Sequence, residues 1–362
     1  MSVSQQTRLA DRSFKRILLI KPSSLGDVVH ALPVLSGLRR RFPDAHIAWL
    51  IGRGFAPLIA GHPDLDDAIE FDRRAMTRLI LTSRANRALI DLIRRLRAGS
   101  FDLVIDLQGL FRSGFFARAT GAGVRLGFRR AREGAWWFYT HKLNTPDRDM
   151  HAVDRNWLVA HALGFADQPK RFDLGLTDAE RSAGEQLLTG AGVGPTETFV
   201  AVLPGARWNT KQWLIPRFVE VIDRLDRDQG VRCVLMGGVG ERLRCGQIAA
   251  ACSVEPVNLC GATTLRTLIA LIERSSAVLC HDSGPMHLAA ALNRPLTAIC
   301  GPTNPDRTGP YANRDAVIRI DLPCSPCYLR RLSQCRHHHR CMTGINTDAV
   351  TRHLQSHLDR TG

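Results

Sequence analysis

Short apolar runs alternate regularly with helical patterns along this chain, and the alternation limits the folds that it can adopt. The runs are rich in Val, Ile and Leu, and amphipathic stretches separate them. Near-continuous apolar strands separated by helices are typical of a parallel sheet that is covered on both faces. The predicted strands are RILLI (16–20), HIAWLI (46–51), AIEFD (68–72), LVIDL (103–107), VRLGF (124–128), FVAVLP (199–204), VRCVLMGG (231–238), VNLC (257–260), AVLC (277–280) and LTAIC (296–300).

The length of the chain, 362 residues, exceeds that of a single typical core and predicts two domains. The Gly-rich stretch 188–197 interrupts the alternation, which restarts after it, so we interpret this stretch as a linker. The predicted domains are 1–188 and 189–345, followed by a C-terminal helix over 346–362. We expect an α/β architecture of two doubly wound domains of similar size with a cleft between them.

The net charge and the lengths of the apolar runs limit the class of protein to which this chain can belong. The formal net charge is +15, which favours an anionic partner such as a phosphate or an acidic lipid headgroup. An arginine-biased coding sequence is the alternative explanation, since the chain has 44 Arg and 5 Lys. No nucleic-acid motif is found. The N-terminus lacks a secretory signal, and no apolar run reaches the ~18 residues of a membrane span, so we expect a cytoplasmic protein.

The stretch KPSSLGDVVHALPVL (21–35) directly follows the first predicted strand. It places polar side chains and backbone N–H groups at the carboxyl edge of the sheet, where open α/β sheets bind ligands. Asp27 is then either the N-cap of a helix predicted over Val28–Arg41 or a general base that faces a substrate hydroxyl. The local pattern leaves both interpretations open.

A second polar turn follows the strand at 277–280. Asp282 and Ser283 precede Pro285, which is suited to the first turn of a helix because it lacks an N–H. The free N–H groups of such a turn favour an anion such as a diphosphate, and His287 is near enough to donate to it. Alternatively, Asp282 and Ser283 are only caps and His287 packs in the interior.

Two further loops end strands of the same half. The segment 203–213 carries Lys211 beside two tryptophans, and the segment 301–307 is rich in Gly, Pro and polar residues. Together with the Asp282 turn they predict a nucleotide-diphosphate pocket. The segment 237–243 matches a dinucleotide-binding loop only in part, which disfavours a redox enzyme. Glu241 in this loop is a candidate to accept a ribose hydroxyl.

The last four cysteines form the pattern C-x2-C-x7-C-x5-C. Four thiols at this spacing suit a tetrahedral zinc ion, although the two longer gaps match no standard zinc finger. Reduced, metal-free thiols are the alternative, and stable disulfides are not expected in the cytoplasm. The residues concerned are Cys324, Cys327, Cys335 and Cys341.

In combination and order, these motifs resemble those of the lipopolysaccharide heptosyltransferases of glycosyltransferase family 9. The matching stretches are KPSSLGDVVHALPVL, VIDLQGLFRSG (104–114), HAVDRN (151–156), LPGARWNTKQW (203–213), LMGGVGER (235–242), HDSGPMHLAAAL (281–292) and GPTNP (301–305). The resemblance implies the GT-B fold, in which two Rossmann-like domains face each other. It also implies inverting transfer of heptose from ADP-L-glycero-D-manno-heptose to the lipopolysaccharide inner core, with no cofactor or catalytic metal.

The resemblance further implies roles for individual residues. Asp27 corresponds to the general base, and Lys211 corresponds to the residue that balances the diphosphate. The implied donor-binding residues are Gly205, Lys211, Glu241, Asp282, Ser283, Gly284 and His287. The implied acceptor-binding residues are Ser24, Gly26, Gln108, Arg112 and Arg129.

The implied partners are ADP-heptose, an anionic lipid A-core glycolipid and the inner face of the inner membrane, with no nucleic acid. Two other functions stay open: transfer of a different nucleotide sugar to another surface glycan, and non-catalytic glycolipid binding. The acceptor is either Kdo or a first heptose, since the motifs at 104–110 and 151–156 favour the enzyme type that adds the first heptose and the Cys tail favours the type that adds the second.

A short aromatic segment predicts membrane docking. Trp136–Tyr139 is bracketed by Arg112, Arg129, Arg130 and Arg132. Aromatic rings at a headgroup layer beside arginines that meet phosphates would give weak, salt-sensitive binding to a membrane. The alternative is that the aromatic residues are core and the arginines form a solvated face.

Overall fold

The computed structural model describes residues 9–72, 82–147 and 149–359, so the two ends of the chain, 1–8 and 360–362, lie outside the description together with 73–81 and 148. The chain forms two compact units, Met1–Gly175 and Leu176–Gly362. This boundary lies before the predicted linker 188–197, which instead begins within a helix of the second unit.

The first unit contains a six-stranded parallel sheet. Its strands are β1 (Arg16–Ile20), β2 (His46–Gly52), β3 (Asp67–Phe71), β4 (Leu103–Asp106), β5 (Val124–Phe128) and β6 (His141–Leu143). The order across the sheet is β3-β2-β1-β4-β5-β6, and every pairing is parallel. From β1 the chain adds strands first on one side of the sheet, β2 and β3, and then on the other side, β4 to β6, so the switch point lies between β1 and β4. Ile20, the last residue of β1, pairs with Leu50 of β2 and with Asp106 of β4. Ligands of doubly wound sheets bind outside such a switch point.

Helices cover this sheet, and the five predicted strands of the first half are confirmed. The helices are α1 (Leu25–Val29), α2 (Leu32–Arg41), α3 (Ser83–Ala98), α4 (Phe111–Ala119) and α5 (Ala152–Leu163). The single helix predicted over Val28–Arg41 is wrong in detail, because α1 begins before Val28 and a turn at residues 30–31 separates it from α2. Pro33 lies in the first turn of α2, where its missing N–H leaves no bond unmade. The short strand β6 was not predicted.

The second unit repeats the same topology. Its strands are β7 (Phe199–Leu203), β8 (Arg232–Leu235), β9 (Val257–Asn258), β10 (Ala277–His281), β11 (Leu296–Ile299) and β12 (Val317–Ile318). The order is β12-β11-β10-β7-β8-β9 with parallel pairings, so the switch point lies between β7 and β10. The predicted strands of this half are confirmed, although β9 is shorter than expected and β12 was not predicted.

The helices of the second unit explain where the unit begins. They are α6 (Asp178–Gly190), α7 (Ile215–Gln229), α8 (Arg242–Ala251), α9 (Leu265–Arg274), α10 (Gly284–Ala291), α11 (Pro305–Thr308), α12 (Arg340–Thr343) and α13 (Thr347–Leu358). Helix α6 packs on α9, where Glu180 pairs with Arg266 at 2.7 Å. Residues 176–187, which precede the predicted linker, therefore belong to the second unit. Within the described part of the chain, no helix combines the length and apolar character needed to span a bilayer.

Candidate active site

The loop between β1 and α1 fixes the carboxylate of Asp27. Ser24 is the N-cap of α1, and Asp27 is the third residue of the helix, so the interpretation of Asp27 as N-cap is wrong. The backbone N–H and the hydroxyl of Ser24 both donate to Asp27 Oδ2, at 2.9 and 2.8 Å. The bond from the Ser24 N–H to the side chain of the third helical residue is the one that a capping box makes at the start of a helix. It occupies one oxygen of Asp27, while Gly26 lies buried in the same turn.

The other oxygen of Asp27 faces a buried lysine. Lys21 Nζ lies 3.3 Å from Asp27 Oδ1, with the Lys21 side chain 2% exposed and that of Asp27 39% exposed. Burial raises the pKa of Asp27, but the Lys21 ammonium and the bonds from Ser24 outweigh it and hold the pKa below its usual range. The result is an ionised carboxylate at the switch point, with Oδ1 able to accept a proton.

The end of β4 supports this loop from the neighbouring strand. Asp106 is fully buried and accepts hydrogen bonds from the Tyr139 hydroxyl at 2.6 Å and the Gln108 N–H at 2.8 Å. Burial raises the pKa of Asp106. The side-chain oxygen Oε1 of Gln108 is buried without a hydrogen-bond partner among the described residues, which suits a residue that meets a ligand. Sequence reasoning missed Asp106, although it lies inside the motif at 104–110.

The two arginines predicted to bind acceptor lie on the surface of the first unit. Arg112 is exposed in α4, and Arg129 is exposed after β5 with Nε donating to Asn144 Oδ1 at 2.9 Å.

The aromatic segment Trp136–Tyr139 is partly exposed and partly core, so each of the two interpretations given above holds for part of it. Trp136 and Trp137 are exposed, at 39% and 76%, whereas Phe138 is half-buried and Tyr139 belongs to the core. Phe111 is also exposed, and we call Phe111, Trp136 and Trp137 the aromatic patch.

In the second unit, a lysine and an aspartate meet at the carboxyl ends of β7 and β10. Lys211 Nζ donates to the Asp282 carboxylate at 2.7 Å and to the Asp282 carbonyl at 3.1 Å. The Thr303 hydroxyl, from the loop after β11, donates to the same carboxylate oxygen. Lys211 also lies 4.7 Å from the centre of the Trp208 ring, a cation–π distance. The three loops singled out in the sequence therefore meet at this ion pair.

The start of α10 lies beside this pair. Ser283 is the N-cap, Gly284 begins the helix, and Pro285 lies in the first turn. The Ser283 hydroxyl is buried and has no hydrogen-bond partner among the described residues, while His287 is buried one turn further along. First-turn N–H groups together with such a hydroxyl provide donors for an anion.

Glu241 approaches the end of β7 closely. A Cβ built on Gly205 would lie 1.5 Å from Glu241 Oε1, so the carboxylate lies directly on the Gly205 backbone and a side chain at position 205 would have to displace it. Its other oxygen accepts the Gly238 N–H at 2.7 Å. The structure thus brings the predicted residues Gly205 and Glu241 into contact.

Two residues that sequence reasoning missed fix the Lys211 loop. His281 is fully buried, with Nε2 accepting the Trp213 N–H at 2.8 Å, and burial lowers the pKa of His281 to about 3. Arg244 donates to the carbonyl oxygens of Pro204, at 2.8 Å, and Trp213. The signal that could have identified Arg244 is its position one helical turn after Glu241.

The Cys-rich segment packs against the same loop. All four of its cysteines carry free thiols, and burial together with the charges of the other three raises the pKa of Cys341 to about 11. Within the described ranges, no group of three or more His, Cys, Asp or Glu side chains is arranged to hold a metal ion. Zinc binding therefore stays a prediction. His339 bonds to the Thr210 carbonyl at 2.6 Å, and Arg330 lies 4.9 Å from the Trp208 ring.

Comparison with known proteins gives three concordant results. The family model described as glycosyltransferase family 9 (heptosyltransferase) matches residues 89–337. The chain is 33% identical over 316 residues to a protein of Pseudomonas aeruginosa named lipopolysaccharide heptosyltransferase 1, covering 86% of each chain. It is 25% identical to the lipopolysaccharide core heptosyltransferase OpsX of Haemophilus influenzae, covering 84% of each.

Solved structures agree with the fold. A glycosyl transferase family 9 structure from Veillonella parvula superposes with a TM-score of 0.82 at 23% identity, covering 97% of this chain and 99% of that one. The Escherichia coli heptosyltransferase WaaC with ADP gives a TM-score of 0.73 at 25% identity, covering 94% and 99%. The likeness confirms the expected GT-B fold class of two Rossmann-like sheets.

Proposed function

We propose a donor, an acceptor and a mechanism from one premise: the chain belongs to glycosyltransferase family 9, the heptosyltransferases. We propose that it transfers heptose from ADP-L-glycero-D-manno-heptose to Kdo or a first heptose of the lipopolysaccharide inner core, with inversion and without a metal. The observation that carries the proposal is the ionised Asp27 carboxylate, which has one oxygen capped by Ser24 and the other able to accept a proton.

In the proposed step, Asp27 acts on the acceptor. The acceptor hydroxyl gives its proton to Oδ1 of Asp27 while its oxygen lone pair forms the new bond to the anomeric carbon. The bond from that carbon to the diphosphate oxygen breaks on the opposite face, and its electron pair leaves with ADP. Attack from the face opposite the leaving group inverts the configuration at the anomeric carbon.

The second unit supplies the stabilisation of the leaving ADP. Lys211 is held by Asp282 at 2.7 Å, so its charge is already in place before the diphosphate gains negative charge. Preorganised charges and donors of this kind stabilise a developing anion without having to reorient. Ser283, Gly284 and His287 would add donors from the start of α10. Glu241, whose carboxylate lies against the Gly205 backbone, would accept a ribose hydroxyl.

We propose that the acceptor is the anionic lipid A-core glycolipid, met at the cytoplasmic face of the inner membrane. Gln108, whose Oε1 has no partner among the described residues, and the loop of Ser24 and Gly26 would contact the acceptor sugar. Arg112 and Arg129 would meet its phosphates or carboxylates. The aromatic patch would enter the headgroup layer beside these arginines, which gives weak peripheral binding.

A donor and acceptor panel tests the proposed function. The enzyme is first treated with EDTA to remove metal ions. ADP-heptose, other ADP-sugars and UDP-sugars are then each offered with a Kdo-terminated and a heptosylated lipid A acceptor, and products are identified by mass spectrometry. We expect ADP-heptose alone to give product, with one acceptor strongly preferred. Product from another sugar nucleotide would replace the proposed donor, and donor binding without transfer to any acceptor would indicate a non-catalytic protein.

A further inference from the structure

The mechanism proposed above gives no role to Lys21, although this lysine contacts the candidate base directly. Lys21 follows β1, and its side chain is 2% exposed. Its Nζ donates to the carbonyl oxygen of Leu107 at 3.1 Å and lies 3.3 Å from Asp27 Oδ1. Burying an ammonium is costly unless it is paired, so an arrangement of this kind needs a compensating interaction. The Asp27 carboxylate supplies one.

The two oxygens of the Asp27 carboxylate have different partners. Ser24 occupies Oδ2 with two hydrogen bonds, whereas Oδ1 faces a charge rather than a capping donor. We propose, building on the proposed role of Asp27 as the base, that Lys21 is a positioning residue that keeps the Asp27 carboxylate ionised and leaves Oδ1 as the oxygen that receives the acceptor proton.

The charges around Asp27 support this assignment. Burial alone would raise the pKa of the Asp27 carboxyl and favour its protonated form. The Lys21 ammonium opposes burial most strongly, followed by the two bonds from Ser24 and the charge of His30. Lys21 therefore supplies the largest single influence that favours the ionised form.

The surroundings of Lys21 have mixed charge. Burial lowers the pKa of Lys21, and Asp27 opposes that effect most strongly. Arg155, from α5, lowers the Lys21 pKa further, and the fully buried Asp106 raises it. The bond to Leu107 holds the ammonium in place between these groups. The ionised state of each partner thus depends on the other.

The residue type is informative as well. The chain uses 44 arginines and only 5 lysines, yet a lysine stands at this position. An ammonium is a compact point charge, whereas a guanidinium is planar and needs several acceptors in a fork. Within the buried space beside Leu107 and Asp27, a compact charge is the one that fits.

A pH profile of the Lys21→Met variant tests the proposal. Met keeps the length of the side chain but removes the charge, so the acid limb of kcat/KM should move up by about one to three pH units, the range for loss of a close cation. Lys15→Met is the matched control, because Lys15 is exposed, and its profile should equal that of the wild type. An acid limb that stays in place in Lys21→Met overturns the proposal, whatever happens to the maximal rate.

A second measurement does not depend on turnover or on how Lys21→Met folds. With only five lysines, the titration of Lys21 can be followed by NMR of 13C-labelled lysine in the wild type and in Asp27→Asn. Coupling between two sites is reciprocal, so loss of the Asp27 charge should lower the Lys21 pKa by as many units as Lys21 lowers that of Asp27. An unchanged Lys21 titration overturns the inference and leaves the base role intact. Full turnover in Asp27→Asn together with a lowered Lys21 pKa would instead contradict the base role of Asp27, and the role of Oδ1 with it, while the electrostatic coupling between Lys21 and Asp27 stands.

Discussion

The two units share one strand order and each pairs a lysine with an aspartate beside the switch point, but they bury opposite members of the pair. In the first unit Lys21 is 2% exposed and Asp27 is 39% exposed. In the second unit Asp282 is 7% exposed and Lys211 is 16% exposed. The more exposed partner is therefore a carboxylate in one unit and an ammonium in the other. The same two residue types can present a base in one place and an anion-binding charge in the other.

The difference originates in the loops. In the first unit Ser24 caps one oxygen of Asp27 and leaves the other beside Lys21. In the second unit Thr303 and Lys211 converge on a single oxygen of Asp282, which becomes a buried counterion. Burial of this counterion fixes the position of the Lys211 ammonium.

Removing the exposed carboxylate should give the largest effect. Asp27→Asn keeps the size of the side chain but removes the proposed base, so turnover should fall at least about a hundredfold, within the ~10²–10⁴ of a positioned base. ADP binding, measured by calorimetry, should stay near the wild-type value. Asp91→Asn, an exposed change on α3, is the control. A stability loss with normal specific activity would show that Asp27 acts only through its bonds to Ser24.

Removing the more exposed member of the second pair, the Lys211 ammonium, should give the next effect. Lys211→Ala removes charge from the proposed diphosphate position and leaves Asp282 without its cation, so kcat/KM should fall about tenfold to a hundredfold with weaker ADP binding. Lys15→Ala serves as the control. If ADP affinity and rate are both unchanged, Lys211 is a surface residue and the comparison between the units fails.

The contact between Gly205 and Glu241 allows a smaller and sharper test. In Gly205→Ala the new methyl group displaces the Glu241 carboxylate, which lies 1.5 Å from the Cβ position. We expect about a tenfold loss of ADP affinity, or ~1.4 kcal/mol. In a Glu241→Ala background the same change should have much less effect, because coupled neighbours are not additive. Equal losses in both backgrounds would contradict a shared role.

The smallest expected effect concerns the membrane and belongs to the first unit. Trp137→Ser removes the most exposed ring of the aromatic patch, so co-sedimentation with anionic vesicles should weaken about threefold to tenfold at low salt. Leu243→Ser in the second unit is matched, because Leu243 and Trp137 are both 76% exposed. Equal binding of wild type to neutral and anionic vesicles, or equal losses in the two variants, would remove the docking surface.

The sequence predicted the strands well because buried parallel strands are nearly pure apolar runs. It placed the Gly205, Lys211 and Asp282 loops correctly at strand ends, since that placement depends on local chain order. It did not find Lys21, which stood in a quoted motif but whose burial depends on packing against Leu107 from another strand. It also misplaced the unit boundary, because a Gly-rich stretch does not reveal on which core α6 packs.

The bracing of the Lys211 loop has a consequence for how such enzymes diversify. His281 and Arg244 hold that loop through main-chain atoms, namely the N–H of Trp213 and the carbonyl oxygens of Gly205, Pro204 and Trp213. Every residue type except proline offers both of these atoms. Side chains at positions of this loop other than Gly205 and Lys211 can therefore change over evolutionary time, or by library selection, while the scaffold that shapes the loop persists. The surface of the loop can thus vary without rebuilding the fold around it.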